Sequence, residues 1–174
     1  MKTGLKRYST WKKVKVEQSV ETQNLLNPAF CGLIVANIID SYNSKAKQHI
    51  PFYLLYPLTT MVLHKNTRIR IPSRASAKIH TWIQENEQIK IGLAERSKSM
   101  VPFISDSILF MAEQDVVSGH DNIGLVIKNK RTLNKINKMS DFMAGYSVSS
   151  KVIGAISGNF NGPISLMAIL GLRL

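Results

Sequence analysis

The chain has 174 residues, 44% of them hydrophobic, and a formal net charge of +12. This length fits one domain, and the apolar content supports a core and argues against a disordered chain. The single cysteine, Cys31, excludes an internal disulfide and indicates a reducing compartment. No apolar signal-peptide core follows the basic N-terminus, and the longest apolar runs are shorter than a membrane span, so we expect a soluble, cytoplasmic protein.

The positive charge is concentrated in three parts of the chain. Residues 1–16, 41–84 and 122–140 each carry several Lys or Arg residues and contain no Asp or Glu. Cations without neighbouring acids indicate a polyanionic partner, most simply nucleic acid. A solvated basic surface, or one that meets an acidic protein, is the alternative interpretation.

The N-terminal part predicts an arm followed by a buried helix. We interpret residues 1–23 as a basic arm and residues 24–174 as a single domain. A helix is expected to begin at Asn27-Pro28, because Asn is a favoured N-cap and Pro needs no amide donor at the first helical position. The apolar residues that follow surround most of this helix, which places it at the centre of the core.

The middle of the chain predicts helices separated by prolines and loops. Pro57 divides the apolar run that ends at His64, and its second half is open to a helix or another structure. Pro102 is expected to interrupt a later helix. The expected elements are an extended segment at 52–56, an extended segment or loop at 66–73, and helices at 73–86, 87–100 and 105–114.

The last third predicts a hairpin and C-terminal helices. Apolar stretches at 116–117 and 123–127 flank SGHDN, a turn signal. Helix, extended piece, helices and hairpin is the order of a winged-helix domain. The predicted fold class is therefore mainly α with a small β-hairpin, winged-helix-like, with additional C-terminal helices. These are a basic linker at 128–138, a helix at about 142–156, and an apolar helix or turn from Pro163 to Gly171.

The common catalytic motifs are missing from the sequence. It contains no GxxxxGK[ST], GxGxxG or GxSxG pattern, and its four histidines lack metal-binding spacing. Cys31 lies in an apolar helix, where a buried structural thiol is the simpler interpretation. His64 has no nearby acid that would orient it as a base. We therefore predict no catalytic residue, metal or cofactor, and expect His64 to cap or pack at the edge of the core.

Three segments, found in this order, resemble a known family. They are LLNPAFCGLIVANIIDSY, PLTTMVLHKNTRIRIP and IHTWIQENEQIKIGLAERSKSMVPF, and the chain ends in LGLRL. Together they resemble the middle component of bacterial three-component ABC-ATPase defence systems, the LmuC-like subunit of Lamassu, over residues 24–174. The sequence departs from the family pattern at Tyr56, where leucine is usual.

The resemblance implies a non-catalytic accessory subunit that links an SMC-like (Rad50-like) ATPase to an effector nuclease in an anti-plasmid or anti-phage complex. It gives the basic residues a role in contacting the backbone of double-stranded DNA without reading its sequence. A free-standing winged-helix transcription regulator is the alternative, and an enzyme with an unfamiliar site is a third hypothesis. The expected DNA-binding residues are Lys65, Arg68, Arg70, Arg74, Lys128, Lys130 and Arg131. The expected protein-binding residues are Ile164, Met167, Leu170 and Leu172, for which core packing is the competing interpretation.

Overall fold

A computed structural model describes residues 27–46, 48–121, 123–138 and 143–173, and the predicted basic arm, residues 1–23, lies outside them. The described ranges contain eight α-helices and a three-stranded antiparallel sheet, which confirms the mainly helical class. The elements are α1 (Pro28–Asn43), β1 (Ile50–Pro51), α2 (Phe52–Leu63), α3 (Lys65–Arg68), α4 (Ile79–Glu85), a 3-10 turn (Glu87–Lys90), α5 (Leu93–Glu113), β2 (Val117–His120), β3 (Gly124–Ile127), α6 (Lys130–Asn137), α7 (Ala144–Gly158) and α8 (Pro163–Ile169).

Helix α1 is the centre of the core, as predicted. The Asn27 side chain accepts a hydrogen bond of 2.9 Å from the amide of Ala29, and Pro28 occupies the first turn. This is the expected N-cap, because the side chain satisfies an amide that the helix itself leaves free. Residues 31–39 are all buried, and α1 packs mainly against α7 and α5.

Two glycines allow α7 to approach α1 more closely than other residues would. A Cβ atom at Gly154 would lie 2.7 Å from the carbonyl oxygen of Ile38, and one at Gly158 would lie 2.5 Å from that of Tyr42. Both neighbours are backbone atoms of a buried helix, which cannot rotate away as a side chain does. The close packing of α7 against α1 therefore depends on the absence of a side chain at positions 154 and 158.

The two interior prolines do not break their helices. The predicted extended segment at 52–56 is wrong, because α2 is one continuous helix with Pro57 inside it. The predicted interruption at Pro102 is also wrong, because α5 runs through it for 21 residues. Each proline removes one backbone hydrogen bond, and the buried turns on either side pack well enough to keep the helix intact.

The segment between α3 and α5 is less helical than expected. The helix predicted at 73–86 is shorter, because α4 covers only Ile79–Glu85 and the residues before it form a loop. The helix predicted at 87–100 is replaced by the 3-10 turn and the start of α5. Gly92, with φ of +64°, separates the two, a left-handed conformation that glycine adopts without strain.

The predicted hairpin is confirmed, and it gains a third strand. β2 and β3 pair antiparallel from Val117↔Ile127 to His120↔Gly124. The short strand β1, which was not predicted, pairs with β3 on its other side, so that the sheet order is β1-β3-β2. Asn43 joins the end of α1 to this sheet, because its side chain donates to the carbonyl of Leu125 and accepts from the amide of Ile50, both at 2.8 Å.

The predicted basic linker at 128–138 is wrong, because it contains helix α6. The Asn129 side chain accepts from the amide of Thr132 at 3.0 Å and caps the helix. At its other end, the amides of Asn37 and Asn137 donate to each other at 2.8 Å, and Ser147 donates to Asn137 at 2.9 Å. This polar cluster attaches α6 to both α1 and α7. The predicted C-terminal helix opened by Pro163 is confirmed as α8.

Candidate nucleic-acid interface

The basic segment, residues 64–78, connects α2 to α4 and carries the first predicted DNA-binding group. It forms the single turn α3 and then runs as a loop. Lys65, Arg70 and Arg74 are exposed, and so is Lys78, which was not among the predicted residues. Because the segment contains no acidic residue, these cations are not neutralised within it.

Arg68 is turned toward the fold. Its Nη1 atom donates to the carbonyls of Val62 at 2.9 Å and Leu63 at 3.2 Å, and its guanidinium lies 4.1 Å from the ring centroid of Tyr146. The hydrogen bonds satisfy carbonyls that the end of α2 leaves free, and the ring contact ties α3 to α7. The structure therefore gives Arg68 an architectural role, unlike the exposed cations around it.

A side chain of α4 and the side chain of the residue that follows α7 hold the loop of the basic segment in place. The indole Nε1 of buried Trp82 donates to the carbonyl of Arg70 at 2.7 Å, and Asn159 donates to the carbonyl of Ala75 at 3.4 Å. An open hollow of about 510 Å³ beside the loop is lined in part by Arg70 and Lys78. A buried indole requires a hydrogen-bond acceptor. The presence of Trp82 was therefore the only signal in the sequence for this contact with the loop.

His64 lies at the edge of the core, as predicted. It ends α2, and its Nδ1 atom is 2.8 Å from the hydroxyl of Thr67. Burial lowers the pKa of His64 below its usual value, and the positive charges of Arg96 and Arg68 lower it further. The ring is therefore neutral at pH 7, and it contributes no charge to the basic segment.

Replacing His64 with glutamine is expected to reduce the loss of stability on acidification. Because the folded state lowers the pKa of His64, the unfolded chain binds more protons once the pH falls below about 6.5. The free energy of unfolding therefore decreases as the pH falls from that value toward the lowered pKa. Urea titrations at about pH 7.5 and about pH 5.5 measure this difference. An equal effect from His80→Gln, at an exposed histidine, would contradict the assignment to His64.

The second predicted DNA-binding group surrounds the start of α6. Lys128 forms an ion pair with Asp115, and the Nζ atom of Lys130 lies 3.0 Å from Asp40. Arg131 is exposed. Ion pairs at an exposed surface contribute little to stability, so the two lysines can exchange their carboxylate partners for phosphates at small cost.

The structure places the two groups toward opposite ends of α1. Arg68 lies over Tyr146, whose ring is 5.0 Å from that of Phe30 in the first turn of α1. Lys130 instead pairs with Asp40 in the last turn. The step of ten positions from Phe30 to Asp40 corresponds to about 15 Å along the helix axis. The structure therefore does not merge the two groups into one cluster.

The predicted protein-binding residues of the C-terminal helix differ in exposure. Ile164 is 64% exposed and lines a hollow beside the hairpin. Met167 and Leu170 are buried in the core, and Leu172 packs against it. Only Ile164 of the four presents most of its side chain to a partner.

The remaining candidate groups are the thiol of Cys31, as a nucleophile, and the side chains that could bind a metal ion. Cys31 is fully buried, and burial raises the pKa of its thiol to about 11, so that it is protonated and a poor nucleophile at neutral pH. Within the described ranges, no three His, Cys, Asp or Glu side chains are placed to hold a metal ion.

In the same ranges no single helix is long and apolar enough to cross a membrane. Helices α7 and α8 together have the length and composition of a membrane span, but the chain bends by 111° between them.

Fold and surface together define a small, mainly helical domain with a three-stranded sheet and an anchored basic segment. The family model described as ABC-three component (ABC-3C) system Middle Component 3 matches residues 16–174. The chain belongs to this family, and it is therefore the middle component of an ABC-three-component defence system. The family name implies that it works with the other components, including an ABC ATPase. No curated protein and no solved structure matches the chain.

Proposed function

We propose that this protein is a non-catalytic bridging subunit of a Lamassu-type anti-plasmid or anti-phage complex. It links an SMC-like (Rad50-like) ATPase to an effector nuclease in the cytoplasm, needs no cofactor, and contacts double-stranded DNA through its backbone. The observation that carries the proposal is the match to the middle-component family over residues 16–174. The thiol of Cys31 is buried and its pKa is raised, so that it is a poor nucleophile, which supports a role without catalysis.

The order of the elements supports the winged-helix-like part of the proposal. The described chain proceeds from a helix to a short strand, then through helices to a hairpin, and the first strand pairs with the last one. In such a domain the β2–β3 hairpin is the wing. Helices α7 and α8 follow as C-terminal additions, and α7 packs along α1.

The distribution of charge supports backbone contacts over base-specific ones. A recognition helix contacts base edges with its own side chains. The second half of α5, which precedes the hairpin, contains Asp106 and Glu113 but no Lys or Arg from residue 99 onward. Exposed cations lie instead on the loop of the basic segment, where lysine and arginine side chains suit phosphates of any sequence. This argues against a sequence-specific regulator.

Co-purification of a tagged chain with the products of its neighbouring genes tests the proposal. We expect a stable complex that contains an ABC ATPase and an effector, with a mass that gives the number of copies of each. The isolated chain should bind DNA weakly and without sequence preference, because its contacts are electrostatic. A lone monomer or homodimer that selects one DNA sequence would overturn the bridging role in favour of a transcription regulator.

A further inference from the structure

A shallow groove of about 360 Å³ lies between the start of α2, the second half of α5 and the β2–β3 hairpin. Phe52, Leu109 and Ile123 line it and are 43%, 57% and 52% exposed. Single exposed apolar residues are common on protein surfaces, whereas three large ones around one groove favour a docking surface. The apolar lining of the groove therefore favours an apolar occupant.

The groove lies in the part of the chain where the sign of the charge is reversed. Asp121 lines the groove, and Asp106 is exposed one turn before Leu109 on the same face of α5. Residues 99–127 contain no Lys or Arg and four acidic residues, Asp106, Glu113, Asp115 and Asp121, of which Asp115 is paired with Lys128 and Asp121 lies 2.9 Å from the Nδ1 atom of His120. In a chain with a net charge of +12, this segment favours an occupant that is both apolar and positively charged.

The N-terminus of the same chain has this composition. Residues 1–16 carry six Lys or Arg residues and no acid. Between these cations an apolar or aromatic side chain recurs at every third position, at Leu5, Tyr8, Trp11 and Val14. We propose that residues 5–14 dock in the groove, with the aromatic side chains against Phe52 and the cations near the acidic residues. This proposal does not depend on the bridging role.

The connection between the two sites is long enough. The first turns of α1 lie beside the second half of α5, because a Cβ atom at Gly32 would be 3.3 Å from the carbonyl oxygen of Ser107. The connecting residues, 15–26, can span up to about 40 Å when extended. The path around α5, a helix about 10 Å in diameter, is shorter than this. A tether of this length keeps the local concentration of the docking residues high, so that weak contacts are sufficient.

The fluorescence of Trp11 tests the proposal in the full-length protein. The chain has two tryptophans, Trp11 and the buried Trp82. The difference between the spectra of the unmodified protein and of Trp11→Phe isolates the emission of Trp11 and leaves Trp82 untouched. We expect Trp11 to emit at shorter wavelength than in a peptide of residues 1–16, and to be quenched several-fold less by acrylamide.

Matched surface variants assign this protection to the groove. Leu109→Ser, and separately the pair Asp106→Asn and Asp121→Asn, should raise the quenching of Trp11 toward the value of the peptide; asparagine tolerates the φ of +54° at position 121. Val148→Ser should leave it unchanged, because Val148 is equally exposed, at 57%, on another helix. All of these positions are exposed, so the substitutions leave the core intact.

Two results would overturn the proposal. The first is a Trp11 that is as accessible in the full-length protein as in the peptide. The second is protection that disappears on dilution, because it would show that the groove holds the arm of a second copy. High salt should release the arm in part, since a Debye length of about 3 Å at 1 M salt screens the ionic contacts but not the apolar ones.

Discussion

Replacing Gly158 with alanine is expected to lower the free energy of unfolding by about 3 kcal/mol. The new methyl group would lie 2.5 Å from the carbonyl oxygen of Tyr42 in α1, so the two helices would have to separate. Helices α1 and α7 carry much of the core, and a shift between them is felt by every side chain in the interface. Thermal unfolding should show the loss as a decrease of about 10 °C in Tm.

Gly145→Ala is the matched control for this prediction. Gly145 belongs to the same helix, but a Cβ atom there would meet no atom within 4 Å. Gly145 lies in the first turn of α7, so alanine should stabilise the protein by about 0.5 kcal/mol, chiefly by restricting the unfolded chain. If both substitutions changed Tm in the same direction, the close approach of α7 to α1 would not be the reason for the glycine at position 158.

Reversing the charge of Lys65, Arg70 and Arg74 together is expected to weaken binding of duplex DNA by at least about tenfold at moderate salt. These three cations are exposed on the anchored basic segment. Each lost phosphate contact should also reduce the slope of log K against log[salt] by about 1. Arg68 is left unchanged because it bonds to the end of α2, and its replacement would disturb the fold. Fluorescence anisotropy over a range of salt concentrations measures both effects.

A control variant with the same change in net charge separates contact from overall attraction. It reverses exposed cations on other parts of the surface, namely Lys98, Lys151 and Arg173. Its affinity should fall much less, and the loss in the test variant should be the same for all DNA sequences. Equal losses in both variants, or a loss of sequence preference alone, would contradict backbone contacts by the basic segment.

The sequence alone was sufficient to predict the elements whose signals are local. Asn27-Pro28 start α1 because the capping side chain and the missing amide act within one helical turn. The hairpin around SGHDN forms because its turn residues and flanking apolar strands are close in sequence. Pro163 opens α8 for the same local reason. The middle-component resemblance, which rests on segments in order along the chain, was likewise confirmed at the level of the family.

The predictions at the two interior prolines and at the basic linker were wrong, because contacts with distant parts of the chain outweigh the local signals there. Pro57 and Pro102 each remove one helical hydrogen bond, but the turns around them are held by buried neighbours in α1, α2 and α5. Residues 128–138 read as a basic linker because nine of the eleven are polar or charged, and the two apolar residues, Leu133 and Ile136, share one face of α6. Leu133 is buried on that face, and the Asn137 amide pairs with Asn37, so packing makes the segment a helix.

The sequence determined the helical class, the acid-free basic segment and the family, because composition, local turn chemistry and motif order are properties of the chain itself. Only the tertiary structure decided which cations are exposed. Arg68 donates to a carbonyl at the end of α2 and lies over the ring of Tyr146, whereas Arg70, two residues later, is exposed. The physical reason is that a side chain's partners come from elements far away in sequence, and only folding brings those elements into contact.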